Sequence, residues 1–182
     1  ALMLRTGAVG AQRFQNSQWN GDAVMRWQGS DGLQSMVPAA LSFGLSGFPY
    51  WHTEVAGYVQ ADLSHDQERE LWLRWLQLAT WTSLLRDHLG DHSHSPIDVW
   101  LDDGTVSAFR QAARVHASLL PYLYSLAVEA THSGIPIMRS NTSPLFTRFA
   151  SRRVPGSCLN SAPASSPSLA NNSSTRSRIA PS

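Results

Sequence analysis

Along residues 1–139, short apolar runs bounded by turn residues alternate with longer segments of helical periodicity. Few folds accommodate that alternation. A short strand that feeds a helix and then another strand runs parallel to its successor, and parallel strands need cover on their faces. The fold class is therefore α/β. Strand candidates are residues 2–5, 17–19, 48–51 and 135–138, with a further short apolar segment at 84–86. Residues 32–46 read as a helix, with Leu33, Val37, Leu41 and Leu45 at steps of four. Pro38 is expected in its first turn or at a kink. Residues 68–82 form a second helix, with Leu71, Trp75, Leu78 and Ala79 on one face. The longest helical pattern, 105–132, carries Phe109, Ala113, His116, Leu120, Leu123, Ala127 and Ala130, and Pro121 should kink or split it. Gly134 suits the position just past its end.

Four such units make half of an eight-fold barrel, and 182 residues fall short of the roughly 250 that a whole barrel takes. The chain reads as a piece of a longer protein that begins in mid-domain. Composition breaks near Arg139: residues 1–139 form the ordered domain, and 140–182 are a divergent tail, disordered or frameshifted. Net charge is +1, which argues against a nucleic-acid surface, and no apolar run is long enough to cross a membrane. One cysteine, Cys158, excludes an internal disulfide and a Cys-based zinc site, and is compatible with a reducing, cytoplasmic location.

In α/β barrels functional side chains sit where strands end. Four clusters fall there: Arg5; Trp19-Asn20-Gly21-Asp22; His52-Thr53-Glu54; and Arg86-Asp87-His88. Carboxylates could act as an acid and a polar ligand, and arginine and histidine could hold hydroxyl groups. Each has a plainer explanation. Asp22 after Gly21 could be a turn or cap aspartate, and His52 and His88 could be structural. Glu68 and Glu70 suit a helix start, and Asp102-Asp103-Gly104 a turn before a helix. His92 and His94 resemble half of a metal site, but spacing supplies no third ligand. Seven tryptophans lie in the first hundred residues. About two are expected near a ligand and the others in the core. There is no phosphate loop, dinucleotide fingerprint or nucleophile-elbow serine.

Four stretches carry a family resemblance. They are the Trp-x-Gly-Asp element at Trp19 to Asp22, Gly44-Leu45-Ser46-Gly47-Phe48-Pro49-Tyr50-Trp51 running to Gly57-Tyr58, Leu73-Arg74-Trp75-Leu76-Gln77-Leu78 running to Arg86-Asp87-His88, and Leu119-Leu120-Pro121-Tyr122-Leu123-Tyr124 running to Pro136-Ile137-Met138-Arg139. Their order and spacing over about three-quarters of the chain resemble the C-terminal half of the catalytic barrel of glycoside hydrolase family 31. The resemblance implies a partial (β/α)8 TIM barrel, roughly its last four β/α units.

It also implies roles. Asp22 matches the general acid/base, and Arg5 an arginine that holds substrate near it. Trp19 walls the site. His88 matches a histidine that bonds a sugar hydroxyl. Glu54 stands where most members have an aspartate that orients the same sugar, and His52 lies two residues before it. Tyr58 matches a tyrosine of sulfonate-binding members, where many glucosidases have phenylalanine. The nucleophile, in the family, is an aspartate in an earlier Trp-x-Asp-x-x-Glu type motif, which these residues lack. After Arg139 the family continues into proline and a hydrophobic stretch, and Ser140 onward departs from that pattern, as a frameshift or truncated gene would.

The implied function is a retaining α-glycosidase acting on terminal α-linked glucose-type residues. The alternatives are a sulfoquinovosidase, or an inactive pseudogene fragment or carbohydrate-binding remnant. The implied partner is an oligosaccharide or α-glycoside substrate, with no nucleic acid, membrane, metal or cofactor, because the two-carboxylate mechanism needs none. The chain alone is expected to be inactive.

Overall fold

Three short strands, β1 (Met3–Leu4), β2 (Ser17–Trp19) and β3 (Tyr50–His52), lie side by side in one parallel sheet, in chain order. Ser17 faces both Met3 and Tyr50 across the two ladders. Beyond β3 the next apolar segment continues the series. Arg86 forms an isolated parallel bridge with Glu54, and Val55 N donates to Arg86 O at 2.9 Å. Each segment joins the edge left by its predecessor, so the order never reverses. A doubly wound sheet reverses its strand order, whereas a barrel wall advances in one direction.

The computed structural model describes residues 3–5, 7, 10–14, 17–88, 90 and 99–140. All lie in one compact unit, Ala1–Asn141, and the second unit, Thr142–Ser182, falls outside the described residues. So, apart from Ser140, does the expected tail. The histidine pair at 92 and 94 also lies outside them.

Helix α1 (Leu33–Leu45) crosses from β2 to β3, and α2 (His65–Ala79) from β3 to the 84–86 segment. Between β1 and β2 the described residues hold only a 3-10 turn, Ala11–Arg13. The expected face of α1 is wrong. Met36, Ala40 and Gly44 are its buried residues, while Val37 and Leu45 are exposed. Steps of four overshoot the helical repeat, so from Leu33 to Leu45 the direction rotates by about 120°. Gly44 is buried because Pro136 packs there: a Cβ on Gly44 would stand 2.8 Å from Pro136 Cγ. Pro38 sits inside α1, past its first turn.

Helix α2 starts three residues earlier than its apolar pattern, where Gln67 Oε1 accepts from Ser64 N at 3.0 Å. It buries Leu71, Trp72, Trp75, Leu76 and Ala79 against Trp51, Val55, Met25 and Met36. The long helical pattern divides into α3 (Asp103–Ser118) and α4 (Leu120–Ser133), with Pro121 in the first turn of α4. That is where proline is tolerated, because the amide it lacks would have no helical partner. Asp102 caps α3, accepting from Thr105 N at 2.8 Å. Gly134 ends α4 in the left-handed conformation. Residues 135–138 are not a strand. One backbone bond, Ile137 N to Pro49 O at 3.1 Å, ties them toward β3, and Pro136 has no amide to donate to a ladder.

Trp51, Trp72 and Trp75 belong to the core. Trp27, Trp81 and Trp100 are exposed, so fewer tryptophans than expected lie in the core. No helix among the described residues is long and apolar enough to cross a membrane.

Candidate active site

Because β1, β2, β3 and the 84–86 segment run the same way, their C-terminal ends share one edge of the sheet. Arg5 follows β1, Trp19 to Asp22 end and follow β2, His52 to Glu54 end and follow β3, and Arg86 to His88 follow the last bridge. The four sequence clusters are thus brought to one rim.

Two ion pairs occupy it. Arg5 Nη2 donates to Asp22 Oδ2 at 2.8 Å, and both side chains reach solvent. Arg86 Nη2 donates to Glu54 Oε1, and this pair is interior, with Glu54 fully buried. The Trp19 indole stands between them. Its Nε1 donates to Glu54 Oε2 at 2.6 Å. The guanidinium carbons of Arg5 and Arg86 lie 5.6 Å and 5.3 Å from its ring centroid, within cation–π range. Tyr58 meets Trp19 edge-on at 6.4 Å between centroids and lies 5.4 Å from the His88 ring. His88 is half exposed, with Nδ1 3.0 Å from Arg86 Nη2.

The loops that carry these groups are strapped together by backbone. Ala23 O accepts from Tyr58 N at 2.7 Å and from Val59 N at 3.0 Å. Gly57 has φ +77°, and a Cβ there would stand 2.7 Å from Ala23 O. Only glycine allows that approach without strain. The Asp22 loop and the turn carrying Tyr58 are therefore fixed against each other. On the other side, Gln18 Nε2 donates to Arg5 O at 2.7 Å and holds Arg5 to β2.

His52 lies under the rim. It is fully buried, its Nδ1 is 3.4 Å from Ser17 Oγ, and its Nε2 has no partner among the described residues. Burial, with the Arg86 charge adding to it, pulls the imidazole down to about 4. It is neutral at pH 7. Of the seven candidates, Asp22, Arg5, Trp19, Tyr58 and His88 present surface at the rim, while Glu54 and His52 are enclosed. Sequence reasoning offered Arg86 only as a holder of hydroxyl groups, whereas it is paired with Glu54, and gave no role to Gln18. Arg86 stood in a strand-end cluster, which was a signal; a lone glutamine inside a strand carried none.

No group of three potential metal-ligating side chains occurs among the described residues.

Residues 1–126 match the glycosyl hydrolases family 31 TIM-barrel domain. The chain belongs to this family. A sulfoquinovosidase of Escherichia coli (strain K12) is 34% identical over 151 residues, 81% of this chain and 21% of that protein. Alpha-glucosidase 2 of Bacillus thermoamyloliquefaciens is 30% identical over 151 residues, covering 81% of this chain and 17% of that protein. Among solved structures, a family 31 sulfoquinovosidase from E. rectale, in complex with an aza-sugar inhibitor, superposes with a TM-score of 0.69 at 30% identity. It covers 82% of this chain and 22% of that one. The chain spans about a fifth of the length of such relatives. Family membership makes it part of a TIM-barrel domain and accounts for the one-way strand order.

Proposed function

We propose that this rim is part of the active site of a retaining α-glycosidase that removes terminal α-linked glucose-type residues, with Asp22 as general acid and base. The observation that carries the proposal is the partly exposed Asp22 carboxylate at a strand end, paired with Arg5 at 2.8 Å and next to an indole wall. A group that exchanges protons with a substrate must be reachable, and Asp22 is.

In the first step, Asp22 gives its proton to the glycosidic oxygen as the bond from that oxygen to the anomeric carbon breaks. A second carboxylate, about 5 Å away in retaining enzymes, bonds to the anomeric carbon. Asp22, now a carboxylate, takes a proton from water. The water oxygen attacks the same carbon and frees the second carboxylate. Glu54 is unsuited to that second part, being buried and bonded at both oxygens. The proposal therefore places the nucleophile in another part of the barrel, and the 182 residues alone do not turn over glycosides. Arg5 orients substrate at Asp22, and Trp19, Tyr58 and His88 line the sugar side.

The test is Asp22→Asn in the full-length protein, assayed on an aryl α-glycoside. The rate should fall by about 100-fold or more, the usual contribution of a positioned acid. An unchanged rate would overturn the assignment. Enzymatic rates from the isolated 182 residues would remove the claim that a further carboxylate is needed.

Tyr58 supports a second reading, a sulfoquinovosidase. It faces the same rim as Trp19 and His88, and two curated relatives carry that activity in their names. Competition between an aryl α-glucoside and an aryl α-sulfoquinovoside separates the two. On the second reading Tyr58→Phe slows only the sulfonated substrate; equal effects on both count against it.

A further inference from the structure

Glu54 was expected to touch sugar, but its surroundings leave it no free oxygen. Oε2 accepts from Trp19 Nε1 at 2.6 Å, and Oε1 accepts from Arg86, with His88 Nδ1 3.6 Å from that same oxygen. Its side chain has no exposed surface. Arg86 engages both members of this contact, bonding the carboxylate and lying over the indole at 5.3 Å. The indole is also met by Arg5, 5.6 Å from its centroid, the residue paired with Asp22.

We propose that Glu54 and Arg86 are positioning residues: Arg86 locks the Glu54 carboxylate, the carboxylate fixes the Trp19 indole, and the indole keeps Arg5 against Asp22. This rests on the reading of Asp22 as the general acid. The longer glutamate acts inside the wall, and His88 is the group of this cluster left open to a sugar hydroxyl.

The chemistry of the carboxylate makes the chain of contacts specific. Both neighbours are N–H donors, and a carboxylate is acceptor-only. An amide at position 54 fails in either orientation, because its NH2 then faces the indole N–H or the guanidinium. Aspartate is shorter by one carbon–carbon bond, about 1.5 Å, and loses reach to at least one donor.

The experiment uses the full-length protein, with Glu54→Gln, Glu54→Asp and unaltered forms. Kinetics are measured on an aryl α-glucoside and an aryl α-sulfoquinovoside, and the Trp19 indole N–H is followed by NMR. The expected result for Glu54→Gln is a kcat lowered about tenfold to a hundredfold with KM changed less than about threefold, the pattern of lost orientation. The indole proton should move upfield as its bond to a charged acceptor is lost, and Glu54→Asp should recover only part of either effect. A KM raised about tenfold with kcat and the indole proton unchanged would make Glu54 a sugar ligand and overturn the proposal. Should the variants not fold, the unaltered protein decides. Saturation with an aza-sugar analogue of glucose or of sulfoquinovose must leave the indole proton in its hydrogen-bonded position. A large upfield move on binding would mean that Glu54 trades Trp19 for sugar, and would overturn the inference. If the full-length protein cleaves neither glycoside, the functional reading fails, while the indole signal in unaltered and Glu54→Gln forms still reports on the clamp.

Discussion

The two ion pairs on the rim have the same composition, one arginine and one carboxylate at neighbouring strand ends, yet different consequences. Arg5 and Asp22 meet in solvent, whereas Arg86 and Glu54 meet inside the wall. Water screens the first pair, so it adds little to stability and its partners can exchange for a substrate. In the second, Glu54 has no contact with water and Arg86 little, so the carboxylate depends on the guanidinium and on the Trp19 N–H. Burial therefore separates the carboxylate that a solute can reach from the one enclosed in the wall. Residue type does not.

Removing one partner from each pair is the strongest way to break that comparison. Arg86→Met leaves a buried carboxylate without its cation and should cost about 3–5 kcal/mol in denaturant unfolding. A cost below about 1 kcal/mol would mean that the inner pair behaves like the outer one.

The backbone strap comes next. Gly57→Ala adds a Cβ 2.7 Å from Ala23 O at a positive φ, and should cost about 1–3 kcal/mol. It displaces the Asp22 loop, so activity should fall with stability. Lost stability at full activity would show that the strap does not set Asp22.

His52 sharpens the comparison through pH. Its folded value is about 4 and its ordinary value 6.5, so between them the unfolded chain holds a proton that the folded chain does not. The stability contribution is complete above pH 6.5 and is lost as pH falls toward 4. His52→Asn should flatten that slope in unfolding measurements. Arg86→Met should narrow the window from below, since Arg86 supplies part of the depression. An unchanged window would show that the Arg86 charge is not felt at His52.

The smallest effect is expected from Arg5→Met, within about 1 kcal/mol of the unaltered protein in denaturant unfolding. Together with the Arg86 result it fixes the ratio between the two pairs.

Much of this arrangement is legible in the residues. Strands at 17–19 and near 50, helix α2 and its Trp75 face, the break at Pro121 and the cap at Gly134 follow from local pattern, because each depends on neighbours within a turn or two. The buried face of α1 does not. Met36 and Ala40 are buried in the core cluster with Trp51 and Trp75, and Gly44 meets Pro136, nearly a hundred residues away. Exposure of Trp27, Trp81 and Trp100 is equally remote from pattern, since the same indole suits core, site or surface.

At the site, sequence by itself placed the charged groups at strand ends, because strand order and period are local properties. It could not say which carboxylate meets water. Asp22 and Glu54 each follow a strand, and the family resemblance, though it implied different roles for them, put both within reach of substrate. Only the tertiary structure decided that, by laying Arg86 beside Glu54 from a segment 32 residues on and closing Trp19 over the pair. Solvent access depends on what packs on top of a residue, and what packs on top comes from elsewhere in the chain.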